Sequence, residues 1–569
     1  MGRRGDWVTG RAESEKEEER RERRERKGRR EKGEKRKKRA ESEKEEERRE
    51  RRERTGRREN SDKSRNNRNK EKMEKIEADS IIVGAGLTGL TVAFYLARAG
   101  QKVVVLEKTD HIGGVIRTIH QDGFIFETGP NTGVYSSPEL VSLFDDLEGT
   151  AVPEFANAKG KQRWIWKKGQ WHALPSGLGS AVGTPLFTIH DKFRILGEPF
   201  RKKGTDPYES VAQLVRRRMG KSFLEYAVDP FISGIYAGDP EKLVTRFALP
   251  KLYRLEQDYG SFIRGAMKKR REPRDELTRR ATREVFSVKG GLQELTEALG
   301  NKIGRGQIIT GTQDLKIIRR QKKYEAAFKT GGKEYLVSSA HVVTTVPGPA
   351  LENMFSFIST PALKPILDLR YAKVVQVIAA YRKWAGPPLN AFGGLIPSRE
   401  KRDALGILFT SSIFNDRTPE GGAILSVFMG GDRRPGFIEK SDEEIRTLAL
   451  QEITGTLGQQ EITGSPGQQE ISGTTGQQEI AGTPGQQDLQ PGQQQDLRAL
   501  LQPDFMKIFR YPYAIPQYEA STEQRLEAIE KMEAAYPGIH LAGNIRDGIG
   551  MADRVKQGYQ VAMHILKDA

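Results

Sequence analysis

The chain has 569 residues, enough for two or three domains with a large core, and its 95 Lys and Arg against 77 Asp and Glu give a net charge of +18. It has no cysteine, which excludes disulfides, thiolate metal sites, cysteine nucleophiles and a flavin attached through a thioether. Its seven histidines show no metal-ligand spacing, no uncharged apolar run reaches the roughly 18 residues of a membrane span, and the charged beginning predicts no secretory signal.

Residues 1–76 hold 32 Lys or Arg and 21 Asp or Glu, so +11 of the +18 lies there. The segment contains a verbatim duplication, residues 11–26 repeated at 39–54. Its Glu and Arg spacing permits i,i+4 pairs, but there is no apolar stripe to bury, so a disordered or frayed charged tail is expected. No aromatics interleave the basic runs, which argues against specific nucleic-acid recognition and leaves an anionic surface as the alternative partner.

Ser80-Ile-Ile-Val-Gly84-Ala-Gly86-Leu-Thr-Gly89 reads as an apolar strand entering three glycines at G-x-G-x-x-G spacing. The first glycine permits the turn, the second lets backbone approach a pyrophosphate, and the third lets the next helix pack on the strand. That helix is predicted over 90–99, a second strand over 102–106, and Glu107 then offers a carboxylate to ribose hydroxyls. The pyrophosphate sits on the helix N-terminus. Directly afterwards come Gly113, Gly114, Val115 and Arg117, which a nicotinamide-binding unit does not need. An extended flavin dinucleotide needs that additional backbone and cation, so FAD is preferred to NAD.

Further along, helical patterns occupy 207–218, 221–228 and 291–299, and strands are predicted at 308–309, 316–319, 341–346, 374–381, 406–410 and 423–429. Between 451 and 495 a Gly-Gln-Gln-Glu motif recurs, a composition unable to build a core. The capped helical pattern at 441–450 resumes at 496–501, so the repeat reads as a surface insertion into one helix. A strand at 538–544 ends on a glycine turn, and a closing helix follows whose N-terminus favours negative charge.

From Ser80 onward, the repeat excepted, the chain resembles the oxygen-dependent protoporphyrinogen oxidases of the amine oxidase and phytoene desaturase superfamily. The resemblance rests on the two glycine motifs, Phe126-Glu-Thr-Gly-Pro-Asn-Thr132, Leu174-Pro-Ser, Asp229-Pro-Phe-Ile-Ser-Gly-Ile-Tyr-Ala-Gly-Asp-Pro240, Ala391-Phe-Gly-Gly-Leu-Ile-Pro397 and Leu541-Ala-Gly-Asn. It implies oxidation of protoporphyrinogen IX in heme biosynthesis with molecular oxygen as acceptor, with coproporphyrinogen oxidation, another amine oxidase or desaturase, or a flavin-binding scaffold as alternatives. Non-covalent FAD is implied at Gly84, Ala85, Gly86, Leu87, Thr88 and Gly89, with Glu107 and Lys108 at the ribose and Gly113, Gly114 and Val115 near the phosphates. Gly129, Pro130, Asn131 and Thr132 are expected beside the isoalloxazine, Ile309 on the adenine side through its backbone, and Asn544, Ile549, Gly550 and Met551 over the ring. Phe392 and Val374 are expected at the tetrapyrrole, although a core aromatic at Phe392 is the plainer reading. Asn131 is the candidate for polarising the substrate ring, with a turn role after Pro130 as the alternative. An arginine shortly after Gly-Pro-Asn holds a propionate in some family members, and 145–151 offers no match.

The fold expected is α/β, α+β overall: a Rossmann-like FAD-binding domain in three pieces (77–145, 285–360, 531–569), interleaved with a helical, membrane-facing domain (146–284) and a substrate-binding sheet domain (361–530). Residues 174–200 mix large apolar with basic residues, which suits either an interfacial segment or a soluble surface. A cytoplasmic enzyme, with peripheral contact to the inner face of the cytoplasmic membrane and room for a homodimer, is the expectation.

Overall fold

The computed structural model describes residues 73–175, 178–458 and 501–568. The chain divides into two compact units, Met1–Glu74 and Lys75–Ala569, and the second holds the elements that follow. The duplicated tail, the repeats from residue 459 on and the helix expected to resume at 496–500 lie outside the described residues.

Five short strands form one parallel sheet in the order Ile308–Ile309, Val103–Leu106, Ser80–Val83, His341–Thr344, Ile539–Leu541. Ile82 stands opposite Val105 on one side and Val343 on the other, and Val343 opposite His540. These strands are nearly all apolar because both faces are covered. One face packs on the helices Leu87–Arg98, Gln293–Ile303 and Met551–Asp568 through Leu90, Leu96, Leu295, Leu299, Val555 and Ile565. The other face sets Ile81, Val83 and Val104 against Ile317, Ala326 and Val337 of an antiparallel meander (Gln313–Arg320, Lys323–Thr330, Lys333–Ser339) and Ile529 of the helix Thr522–Ala535. The sheet thus gathers segments more than four hundred residues apart, and all its strands point their C-terminal ends at one edge.

A second sheet has seven strands, in the order Phe505–Pro516, Tyr371–Tyr381, Ala423–Gly430, Ala404–Phe409, Gly393–Leu395, Arg163–Lys167, Gln170–Ala173. Its last two strands correct the expectation of a helical 146–284 segment. They form a hairpin in which Lys167 pairs with Gln170 across Lys168 (φ 50) and Gly169 (φ 81). Two consecutive positive φ values make the tight turn whose twist matches that of the strands it joins. Trp164 and Trp171 then bury against Phe409 and Val427 in the core of that sheet.

The α-helices of the region begin at Leu178–Gly183, after a single 3-10 turn at Lys159–Lys161. The pattern at 207–218 becomes the helix Val211–Arg218, started late by a capping box between Ser210 and Gln213. The pattern at 221–228 is not one α-helix: after Lys221–Phe223 the turn widens to a π-helix at Leu224–Val228 before Asp229–Ile235. The helix Asp442–Leu457 carries the expected Ser441 and Glu444 capping box and runs one further turn and more beyond 450.

His341 and His540 stand on neighbouring strands, His341 Nδ1 lying 3.3 Å from His540 Nε2, and His564 of the closing helix meets His540 edge to face. Burial, then the charges of His341 and His564, push His540 down from its ordinary 6.5 to about 4, with Asp568 opposing and Arg546 adding slightly. The folded value lies below the unfolded one, so the stability from neutral His540 is complete above about pH 6.5 and is lost as pH falls toward 4. His540→Gln is expected to flatten this dependence: the stability difference between wild type and variant, read from urea unfolding, falls by on the order of 3 kcal/mol between pH 7 and pH 4. A difference independent of pH would show that His540 does not titrate in this window.

Candidate functional site

The site begins where Ser80–Val83 ends. Gly84 has φ 101, and a Cβ there would stand 2.6 Å from Thr345 Oγ1, so the turn needs glycine for both conformation and space. A Cβ at Gly89 would fall 2.0 Å from the Gly84 carbonyl, which is how closely helix and strand approach. Gly86 differs: a Cβ there would meet no protein atom within 4 Å, so its face is open to a ligand.

Gly86 is also the N-cap of Leu87–Arg98, and the cap makes no side-chain hydrogen bond and has no acid in the following turn. The uncapped N–H groups therefore present positive partial charge. Thr88 is 4% exposed, yet its Oγ1 has no hydrogen-bond partner among the described residues. An open cradle, an uncapped helix end and an orphaned buried hydroxyl together suit the pyrophosphate of a dinucleotide.

Neighbouring turns complete the cradle. The Gly113 N–H donates to the Ala85 carbonyl at 2.8 Å, and a Cβ at Gly114 (φ 62) would lie 3.2 Å from Gly86 Cα. Val115 is 60% exposed, and its carbonyl occupies the space a Cβ at Gly129 would need. At the next strand end, Glu107 accepts the Ala85 N–H at 2.8 Å through Oε2 and the Thr109 N–H and hydroxyl through Oε1. These bonds aim the carboxylate and leave lone pairs for ribose hydroxyls. Lys108 beside it is exposed. Ile309 lies alongside, its carbonyl accepting the Glu107 N–H at 2.9 Å.

The segment Gly129–Thr132 is fastened to the seven-stranded sheet. Gln376 Nε2 donates to the Glu127 carbonyl at 2.9 Å, and the Tyr511 hydroxyl donates to the Thr128 carbonyl. Asn131 is 6% exposed, donates through Nδ2 to the Gly129 carbonyl at 3.0 Å and accepts the Ser426 hydroxyl at 2.9 Å. Its oxygen ties the turn to the sheet through Ser426, while one of its N–H groups closes the turn on itself at Gly129. Pro130 and Thr132 are half-buried on either side.

At the far strand, Gly543 (φ 89) abuts Thr345, whose carbonyl would lie 2.7 Å from a Cβ there, and its N–H donates to Gln557 Oε1 at 2.6 Å. Asn544 Oδ1 accepts the Tyr371 hydroxyl at 3.2 Å, and the Gly548 carbonyl accepts the Tyr518 hydroxyl at 2.9 Å. Ile549 is half-buried, Gly550 exposed and Met551 buried where the closing helix starts. Glycine loop, Thr345 and the 543–551 turn thus lie at the ends of three adjacent strands.

Phe392 and Val374 both belong to the seven-stranded region but differ in surroundings. Val374 is buried with Ala237 and Ala372, so it backs the wall instead of forming an open surface. Phe392 is half-buried, with the Arg163 guanidinium 5.2 Å from its ring centroid. Arg163 forms no ion pair among the described residues. Sequence reasoning sought a cation soon after Gly-Pro-Asn and missed Arg163, because only the hairpin pairing of Arg163–Lys167 beside Gly393–Leu395 brings it to Phe392.

The chain matches the family of flavin containing amine oxidoreductases over residues 87–566. It is 28% identical over 510 residues to protoporphyrinogen oxidase 2, chloroplastic/mitochondrial, of Arabidopsis thaliana, covering 84% of this chain and 92% of that one. It is 24% identical over 498 residues to coproporphyrinogen III oxidase of Bacillus subtilis, covering 84% and 96%. Among solved structures, a putative protoporphyrinogen oxidase from Exiguobacterium sp. 255-15 superposes with a TM-score of 0.66 at 22% identity, over 87% of this chain and 100% of the other. FAD is this chain's cofactor, and the chain belongs to the flavin containing amine oxidoreductases, as an FAD-dependent oxidoreductase.

Proposed function

We propose that this enzyme oxidises protoporphyrinogen IX to protoporphyrin IX in heme biosynthesis, with molecular oxygen as the final acceptor. The observation that carries the reading is Arg163 over Phe392: an aromatic face suits a flat tetrapyrrole, and a cation without a protein carboxylate suits its propionate. A cationic amine would be repelled there. The relatives named for porphyrinogen oxidation support the same choice. FAD, when bound, supplies the two-electron chemistry. The chain orients the macrocycle, and the pyrrole protons leave to water. Glu127 is no base for them: burial pushes it up to about 7, but it is enclosed, with its oxygens held by the Leu292 N–H and the Thr118 hydroxyl.

Coproporphyrinogen, with propionates in place of vinyl groups, is the second reading, favoured by the Bacillus relative. Porphyrin fluorescence under air with both porphyrinogens, beside peroxide release from a panel of amines, decides between them. Faster coproporphyrinogen turnover moves the assignment to that substrate, and amine turnover alone overturns the reading. Arg163→Met is expected to raise KM for the porphyrinogen about tenfold, the loss of roughly 1.4 kcal/mol, with flavin content unchanged and kcat within about twofold. Gly86→Val is expected to abolish FAD binding by filling the open cradle. Asn131→Ala is expected to lower both flavin retention and melting temperature; normal flavin content with slow flavin reduction would support the polarising role.

The helical region exposes Val182, Ile189, Phe193, Leu196 and Phe200 by 66–82%. Ile189, Phe193 and Leu196 repeat at helical spacing on Ile189–Leu196, with Lys192, Arg194 and Arg201 nearby. This pattern supports peripheral attachment to an anionic membrane, from which an apolar substrate would be drawn. No helix among the described residues is long and apolar enough to span a bilayer. The full chain is expected to co-sediment with vesicles containing anionic lipid, and Phe193→Ser with Phe200→Ser to reduce this at least tenfold; unchanged sedimentation would remove the apolar face from the interaction.

A further inference from the structure

Arg525 lies near the start of the helix Thr522–Ala535 and is 1% exposed. A buried cation ordinarily has a carboxylate beside it, and a helix N-terminus is the wrong end for positive charge. Arg525 has neither advantage. Its Nε donates to the Ile545 carbonyl at 2.8 Å, Nη2 reaches Thr522 Oγ1 at 3.4 Å, and its guanidinium lies 5.8 Å from the Tyr518 ring. Among the described residues it forms no ion pair.

Carboxylates of its own helix and of the segments beside it pair with other cations. Glu523, in the same turn, pairs with Arg246, Glu519 and Asp432 with Arg370, and Glu533 with Arg546. Asp547 accepts Gln557 Nε2 at 2.7 Å and stands 3.8 Å from Arg554. The two phenols facing Arg525 supply no charge near neutral pH, since burial pushes Tyr371 up to about 12 and Tyr518 higher still.

What Arg525 holds is the turn that follows the strand Ile539–Leu541. Ile545 follows Gly543 and Asn544, and Gly543 touches Thr345, which in turn touches Gly84. Tyr371 binds Asn544 and Tyr518 binds Gly548, so the cation and both phenols underlie one turn. We propose that Arg525 is an electrostatic positioning residue for FAD: its buried charge compensates the negative charge the flavin gains on reduction and raises its potential. Two electrons and one proton delivered to neutral oxidised flavin leave one net negative charge, and that charge is the counter-ion that the described residues do not provide. The inference rests on the flavin and not on which substrate reduces it.

The test is the two-electron midpoint potential of bound FAD, measured anaerobically against a reference dye in the full chain, so no porphyrinogen is needed. Arg525→Met, which replaces an unpaired buried charge by an apolar chain of similar length, is expected to lower the potential by at least about 30 mV, a tenfold loss of preference for reduced over oxidised FAD. Arg525→Lys keeps the charge and is expected to stay near wild type. A flavin-retaining Met variant with wild-type potential overturns the proposal, as does an equal fall in both variants, which would make geometry the cause. If the Met variant releases its flavin, its apoprotein is titrated with oxidised and with reduced FAD; a wild-type ratio of the two affinities also overturns it.

Discussion

A Cβ at Gly89 would lie 2.0 Å from the Gly84 carbonyl, and one at Gly129 would lie 2.1 Å from that of Val115. Backbone resting directly on backbone at these points is the constraint around which the molecule is arranged. It brings three turns from separate stretches of chain flush with one another and leaves one face, at Gly86, open. A helix end with uncapped N–H groups faces the same place, so close packing and dipole act together.

That cradle would be of little use if the second sheet were free to drift from it. The attachment is polar and buried: Gln376 to Glu127, Tyr511 to Thr128, and Ser426 to Asn131, each joining a strand of the seven-stranded sheet to the 127–131 segment. Hydrogen bonds of this kind are directional, so they set the distance between the 127–131 segment and the seven-stranded sheet more sharply than apolar contact does. The hairpin Arg163–Ala173 extends the same sheet and carries a cation to its far side.

Charge is distributed in keeping with this frame. Most arginines of the core are paired, as Arg218 is with Glu198 and Glu256, and Arg433 with Asp229 and Asp239. Arg525, which is buried, forms no ion pair among the described residues and lies beneath the 543–548 turn, whereas Arg163, likewise without an ion pair among them, is exposed to solvent beside Phe392. An unpaired cation is tolerated where an anion arrives from outside the chain.

The glycine loop, the acid that follows it, most of the apolar strands and the capped helix at 442 were legible in sequence because each depends on neighbours within a few residues: spacing, period and cap chemistry act locally. The hairpin at 163–173 carried a local signal as well, in its Trp-rich alternation and Lys-Gly turn, but was absorbed into a region expected to be helical. Asn131 stood out from its motif, yet its hydrogen-bond partner Ser426 lies almost three hundred residues away. Likewise Arg163 could not be connected with Phe392 from the sequence, because it reaches that ring only through strand pairing. Sequence by itself determined the strand, glycine turn and helix of the dinucleotide fingerprint, since these require only short-range backbone geometry. Which side chains are tied up and which remain free to meet a ligand was decided by tertiary structure alone, because a hydrogen bond or an ion pair exists only once both partners have been brought within reach.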